Sequence, residues 1–373
     1  MRRAAVPGHV DRLSCDPPGT RPLFALIRIT HHLSRAAARL ARVLVACIVA
    51  TIVLFTAAQQ AGGVGPWWLE LTRYLPYPAV LLPAVAAVVL SCWLGRRSVL
   101  ASLAALALVV TVGMGFEWPR PDRGDIAVRV MTYNVKAHLA SQRPDGFARL
   151  AHEVALQHPD ILVMQDAHVR SPGGGEATMP AASSFGFAQV HAVGQYVVAS
   201  RFPLRDCALG RIGYRGQDHR YLRCVVEVEG VVLNLVTAHF ESPRRGLNAA
   251  RREGLEGVDD WQQNVEDRLL QARTLAGDLA GSGRPLIVAG DLNAPESSPV
   301  VRALLSIGLR DAFSSAGLGY GYTHGHALKL GFSFLRIDHI LVSPDIGVAD
   351  SFVGNASASE HRPVIADLLL RRR

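Results

Sequence analysis

The chain has 373 residues, more than one ordinary domain, and its 49% hydrophobic content and mean hydropathy of +0.19 are too apolar for a typical soluble protein. Its net charge of +8 is confined to residues 1–124, which carry 13 Lys+Arg against 5 Asp+Glu, whereas residues 125–373 carry 26 of each. The sequence pI of about 9.6 is therefore no nucleic-acid footprint.

In chain order, residues 1–42 form a basic tail. Three stretches without a charged residue follow, at 43–61, 75–94 and 98–116, each near the ~20 residues that cross a bilayer. They lack the polar stripe at helical period that a helix on a soluble core would show. Pro76, Pro78 and Pro83 weaken the second by shortening or kinking its start. Arg35, Arg39 and Arg42 precede the first span, and Arg96 and Arg97 join the second to the third, whereas the other loop sets Arg73 beside Glu70. The positive-inside rule then predicts a cytoplasmic N-terminus, three spans and an extracytoplasmic remainder, a multi-pass protein of the cell membrane. A Pro/Arg/Asp linker at 117–125 reads as a boundary before a domain at 126–370.

That domain alternates β-branched apolar runs with amphipathic segments. Strands are predicted at 126–135, 161–165, 196–202, 221–227, 231–239, 285–290 and 338–342, and helices at 147–158, 261–280 and 299–307, the last capped by Ser297 or Ser298. The mixture favours α/β layers. A loop at 171–176 is the clearest flexible segment. Of five cysteines, Cys15 lies in the tail and Cys47 and Cys92 in predicted spans, which leaves Cys207 and Cys224. If their strands pair antiparallel around a turn near Gly216, the two thiols fall nearly opposite, in a compartment that permits a disulfide.

The segment Gly290-Asp291-Leu292-Asn293 follows the apolar run at 285–289 and sets a carboxylate and an amide at a strand's end. Asn134, Asp166, His239, Asp338 and His361 also lie at or beside strand ends, so dispersed polar residues suggest one assembled pocket. Each has a plainer explanation alone: Asp291 and Asn293 as turn formers, His239 and Asn134 as strand-end groups, Asp338 as a surface charge. Only the ensemble outweighs it. His138 and His339 are read as structural, and Arg201 as a turn or ion-pair residue. His324 and His326 without further ligands make a weak metal site. Clustered Arg244, Arg245, Arg251 and Arg252, and Arg211, Arg215, Arg220 and Arg223, read as solvated surface with acidic neighbours.

Seven stretches carry a resemblance: 131–135 (Met-Thr-Tyr-Asn-Val), 159–166, 200–203, 237–240, 290–293, 336–341 and 359–363 (Ser-Glu-His-Arg-Pro). Together they resemble the endonuclease/exonuclease/phosphatase superfamily, which includes DNase I-like nucleases, apurinic endonucleases, sphingomyelinases and inositol polyphosphate phosphatases. The likeness covers about residues 126–370. It implies two mixed β-sheets in a sandwich flanked by helices, and a divalent cation, usually magnesium with manganese or calcium as alternatives, held by Asp166 with Asn134 and Glu360. It further implies that Asp291 orients or deprotonates the attacking water, that Asn293 holds its geometry, that His239 and His361 contact the phosphoryl group, and that Asp338 orients His361. A hard cation prefers such oxygen ligands.

Two positions depart from the family pattern, in which Glu follows Gln165 and Asp precedes the final His; here they are Asp166 and Glu360. Both keep the charge, but the shorter arm at Asp166 draws the carboxylate back by one methylene. The expected function is a membrane-anchored, metal-dependent phosphoesterase, with a nuclease or lipid head-group phosphodiesterase as subdivisions and a catalytically weakened binding protein as the alternative. Its expected partners are a phosphate-ester substrate (nucleic acid or phospholipid head group) and the lipid bilayer, with no protein partner inferred.

Overall fold

The computed structural model of the chain describes residues 21–170, 176–178, 185–283 and 285–371. Residues 1–20 of the basic tail, with Cys15, and residues 171–175 of the predicted loop lie outside them. The strands are β1 (Ile126–Asn134), β2 (Ile161–Gln165), β3 (His168–Arg170), β4 (Glu176–Thr178), β5 (Gln189–Val193), β6 (Tyr196–Ser200), β7 (Leu204–Arg211), β8 (Arg220–Val228), β9 (Val231–His239), β10 (Leu286–Asp291), β11 (Arg310–Asp311), β12 (Asp338–Val342), β13 (Gly347–Val353) and β14 (Val364–Leu370). The helices are α1 (Arg21–Gln60), α2 (Trp67–Thr72), α3 (Pro78–Ser91), α4 (Arg96–Leu108), α5 (Ala137–Ala140), α6 (Gly146–Gln157), α7 (Arg244–Glu253), α8 (Val258–Leu279), α9 (Pro299–Leu305) and α10 (Ala312–Ala316).

Two six-stranded sheets pack face to face, in the orders β13-β14-β1-β2-β6-β5 and β11-β12-β10-β9-β8-β7. Each centres on one parallel pair, β1 with β2 and β10 with β9, flanked by an antiparallel partner, β14 or β12. The inner faces follow from period-two alternation. Val128 and Val130 on β1, Ile161 and Val163 on β2, Leu233 and Leu235 on β9, and Ile287 and Ala289 on β10 share one buried core between the sheets. Continued by two residues, the same rows turn polar: Thr132 and Asn134, Gln165, Thr237 and His239, and Asp291. All four strands run toward the same end of the sandwich, so its rim is polar while its interior is dry. Burying each Val, Leu or Ile contributes about 1.5–3 kcal/mol, which fixes the register and therefore the direction of the polar groups beyond it.

Helices cover the outer faces. Leu150 and Val154 of α6 pack on Met131, Tyr133 and Leu162, and Leu275 and Leu279 of α8 pack with Val300 and Leu304 of α9 on Val236, Val288 and Leu341. Ser298 caps α9 by accepting from the Val301 N–H at 3.3 Å. The strands β13 and β14 and the helix α7 were not anticipated. Cys207 and Cys224 form a disulfide across antiparallel β7 and β8, beside a bulge between Arg205 and Ala208. Arg215 pairs with Glu266 and Asp267, Arg220 with Asp218, and Arg201 with Asp160.

The N-terminal helices differ from expectation in length. Two stretches, Arg35–Gln60 and Arg96–Gly113, are long and apolar enough to cross a membrane, whereas α3 has 14 residues. At 1.5 Å per residue α3 spans about 21 Å, short of a ~30 Å hydrocarbon core. Pro76 breaks the chain before it and Pro78 stands at its first turn. α1, α3 and α4 pack through Ile52, Ala84 and Ala105. Outward, Leu40, Leu54, Leu82, Val89, Trp93 and Leu100 remain exposed. The ends of α1 and α4 and the start of α3 converge on the sandwich around a cavity of about 520 Å³ lined in part by Gln59, Tyr77, Ser297, Arg302 and Tyr322. The 117–125 segment lies along the sandwich, with Glu117 and Gly319 exchanging backbone hydrogen bonds and Asp122 pairing with Arg310.

Candidate active site

At the polar rim the side chains form two tiers. In the deeper one, Gln165 Nε2 donates to Thr132 Oγ1 at 3.0 Å and to Thr237 Oγ1 at 2.8 Å, which ties the two sheets together. These groups are fully buried. The upper tier centres on Asp291, which is 1% exposed. Its Oδ2 accepts from Asn134 Nδ2 at 2.8 Å, and its Oδ1 accepts from the Asn293 N–H at 2.9 Å. His239 Nε2 and His361 Nε2 stand 3.5 and 3.7 Å from the same Oδ2.

Local backbone explains how Asp291 arrives there. A Cβ at Gly290 would collide with the Ala238 carbonyl oxygen, so only glycine lets β10 approach β9 at this point. Asn293 then takes the left-handed conformation, φ +50°, and its amide donates to the Phe240 carbonyl at 2.9 Å. Lys136 and Asp166 are also left-handed, at φ +45° and +51°. Such residues cost of order 1–3 kcal/mol each and persist where the surroundings over-determine them.

His361 Nδ1 lies 2.9 Å from Asp338 Oδ2, and both residues are buried. Burial would lower the His361 pKa, but Asp338 and Asp291 outweigh it and raise the imidazole above its ordinary value. Burial likewise would raise Asp338, which His361 holds below the usual carboxylate range. The second oxygen of Asp338 is buried without a hydrogen-bond partner. His239 is oriented differently: its Nδ1 lies 2.6 Å from Gln195 Oε1, and its N–H donates to the Tyr196 hydroxyl at 3.1 Å.

Asp166 stands on the other side of His239, its Oδ1 3.9 Å from Nδ1. The Lys136 ammonium donates to its Oδ2. Burial would raise the Asp166 carboxyl, but His239 and Lys136 together hold it well below the ordinary range. Glu360 stands apart, its carboxylate 3.4 Å from Arg244 Nη2 on α7. It thus pairs with an exposed arginine, while the next residue, His361, is buried beside Asp338 and Asp291.

Among the described residues, Asp291, Asp338 and His361 form a group whose ligand atoms lie within 4.8 Å of one another. With Asn134 and Asp166 nearby, the donors are mainly oxygen, and the orphaned Asp338 oxygen has unused acceptor capacity. This set fits a hard divalent cation. Lys136 competes for Asp166.

The remaining histidines separate. His339 Nδ1 lies 2.7 Å from Asp311 Oδ2 and its Nε2 2.9 Å from the Ala294 carbonyl, a structural clamp. His326 contacts Ser333 and the Ser359 carbonyl, while His324 stacks on His361 with ring centres 4.7 Å apart. Burial, then the charge of His361, pushes His324 down to about 3, so it is a neutral wall of the site. The sequence reading did not single out Lys136, Gln195 or Thr132. Thr132 was accessible as the inner-row residue two before Asn134; Gln195 reaches His239 from a turn that no local pattern distinguishes.

The model of the Endonuclease/Exonuclease/phosphatase family matches residues 131–361. No curated protein matches the chain. Among solved structures, it is similar to an endonuclease/exonuclease/phosphatase from Beutenbergia cavernae DSM 12333, with 20% identity, coverage of 67% of this chain and 72% of that one, and a TM-score of 0.50. It is also similar to the mannosyl-6-phosphatase of Bacteroides thetaiotaomicron VPI-5482 (16% identity, 65% and 99% coverage, TM-score 0.47). A third is D. rerio TDP2 complexed with single strand DNA product (15% identity, 65% and 99% coverage, TM-score 0.49). At such identities the likeness to the first speaks for the fold alone.

Proposed function

This chain belongs to the endonuclease/exonuclease/phosphatase family and is a hydrolase of phosphate esters, and from that premise we propose that it is a membrane-anchored, divalent-metal-dependent phosphoesterase whose catalytic domain faces away from the cytoplasm. The observation that carries the chemistry is the convergence of Asn134, His239 and His361 on one oxygen of Asp291, at 2.8, 3.5 and 3.7 Å.

Asp291 takes a proton from the attacking water. Asn134 and the Asn293 N–H fix its carboxylate so that little reorganisation accompanies the step. His361, whose imidazolium Asp338 and Asp291 favour, donates toward the phosphoryl oxygens or the leaving group, and His239, oriented by Gln195, flanks the same group. The residues that would hold a divalent cation are Asp166, Asn134 and Glu360, with the unpaired oxygen of Asp338 as a further acceptor. When bound, magnesium, or manganese or calcium in its place, neutralises charge on the phosphoryl oxygens. A nucleic acid and a phospholipid head group both carry the required ester.

Anchoring is supported by two helices long and apolar enough to cross a bilayer, only 17% buried, where the core helix of a soluble protein would be mostly covered. The exposed Leu54, Leu82 and Leu100 suit a lipid-facing surface. In this reading α3 crosses with α1 and α4, its short apolar length met by local thinning of the bilayer.

The test uses the full chain in detergent or nanodiscs. Hydrolysis of a generic phosphodiester should require magnesium, stop with chelator, and fall by orders of magnitude in Asp291→Asn. Parental turnover in that variant rejects the assignment. For topology, a C-terminal alkaline phosphatase fusion should be active; a dark phosphatase with a fluorescent cytoplasmic reporter would place the domain inside.

A further inference from the structure

The loop between α1 and α3 reaches the segment that follows Asp291 and holds it at both ends. At one end, the Tyr74 hydroxyl donates to the Asn293 carbonyl at 2.9 Å, and Arg268 Nη1 donates to the same oxygen at 2.8 Å. At the other, Arg73 Nη1 donates to the Ser297 carbonyl at 2.8 Å and to its hydroxyl at 3.0 Å. Arg73 is itself fixed by Glu70 Oε2 at 3.1 Å and by the Gln59 carbonyl at 2.9 Å.

The seat is rigid. The Tyr74 ring packs edge-on against Trp261 at 5.4 Å, and the Arg268 guanidinium lies over both rings, at 5.2 and 5.6 Å. Trp261 Nε1 donates back to the Trp67 carbonyl at 3.0 Å. Trp261 and Arg268 are fully buried, and Trp67, Leu71 and Tyr77 complete the apolar cluster with Phe334, Leu335 and Ile337. Residues separated by more than 190 positions thus fix a single peptide.

That peptide matters because Asn293 is left-handed and its N–H holds Asp291 Oδ1. The clamped carbonyl belongs to the peptide unit after the Asn293 Cα and the N–H to the unit before it, so the hydroxyl and the charged donor act by fixing ψ of Asn293 and thereby the left-handed turn that aims its N–H at Asp291. We propose that Arg73 and Tyr74 are positioning residues of the hydrolase, so that the anchor region is a working part of the active site and more than a tether. The inference rests on the reading of Asp291 and Asn293 given above.

The test compares three variants of the full chain in phospholipid nanodiscs. Tyr74→Phe keeps the ring, its packing and its volume and removes only the hydroxyl. Its kcat should fall about tenfold to a hundredfold, the scale set by small misplacements of reacting groups, while KM stays within about twofold. Arg73→Lys keeps the charge but loses the fork that sends Nε to Glu70 and Nη1 to Gln59 and Ser297, and kcat should fall by about as much. Asp291→Asn serves as the inactive reference. If Asp291→Asn is inactive and Tyr74→Phe turns over at the parental rate, or regains that rate when assayed well below a lowered melting midpoint, the loop merely docks and the inference is wrong. If Asp291→Asn itself retains activity, the reading of the site fails instead.

Discussion

Replacing Asp338 by Asn tests the arrangement at its most buried point. Asp338 is 1% exposed; one oxygen meets His361 Nδ1 at 2.9 Å and the other has no partner. An amide of the same shape has two choices there. With its oxygen toward His361 it keeps the hydrogen bond but buries an NH₂ without an acceptor, which costs about 1–3 kcal/mol. Turned the other way it opposes two donors and drives the ring off its position. In either case the larger of the two charges that favour imidazolium is gone and only Asp291 remains. Burial then weighs more heavily against the cation, and the His361 pKa falls relative to the parent. A histidine whose pKa is raised works as a cation below that pKa and loses the charge as pH rises through it. The descending limb of the pH–rate profile should therefore move to lower pH in the variant. By comparison with the loss of an orienting carboxylate from a catalytic histidine, kcat should drop by roughly 10²–10⁴ at neutral pH. The assay is phosphodiester turnover with magnesium across pH 5–9, alongside thermal melting to register the stability cost. If Asp338→Asn keeps kcat within about twofold of the parent at every pH, the role given to this pair is refuted.

Lengthening Asp166→Glu should restore reach toward the cation and lower the magnesium concentration for half-maximal rate; an unchanged or raised requirement removes Asp166 from the ligand set. Asp311→Ala should destabilise the fold by about 1–3 kcal/mol, because it removes the buried acceptor bonded to Arg336 and His339 at 2.8 and 2.7 Å and leaves His339 Nδ1 unpaired, while Arg336 keeps Glu296. Burial would raise the Asp311 carboxyl, but Arg336 and His339 hold it below its ordinary 3.8, so its contribution is full above that value and is lost as pH falls through the lower folded one. Acid melting curves of parent and variant should therefore converge at low pH, and parallel curves would contradict the assignment. The Cys207–Cys224 bridge closes a separation of 17 residues and is worth about 3 kcal/mol by chain entropy. Neither thiol should be alkylated before reduction, and alkylation of both by mass spectrometry would exclude the bond.

Local pattern alone determined much of this protein. Period-two rows ending in Asn134, Gln165, His239 and Asp291 specify strands whose inner faces become polar at one end, and burial of the apolar members sets the direction of the rest. Uncharged stretches likewise mark the helices around Ile52, Ala84 and Ala105. Other features had no local signature. The pairing of Glu360 with Arg244 on α7 joins residues 116 positions apart. Lys136 covers Asp166 because both residues take left-handed backbone, a choice made by the surrounding packing. Tyr74 and Arg268 meet at the Asn293 carbonyl only after the anchor helices, α8 and β10 have docked. Hydrophobic periodicity records which face of an element is buried, whereas such contacts depend on which buried faces meet, and that was decided by the tertiary structure.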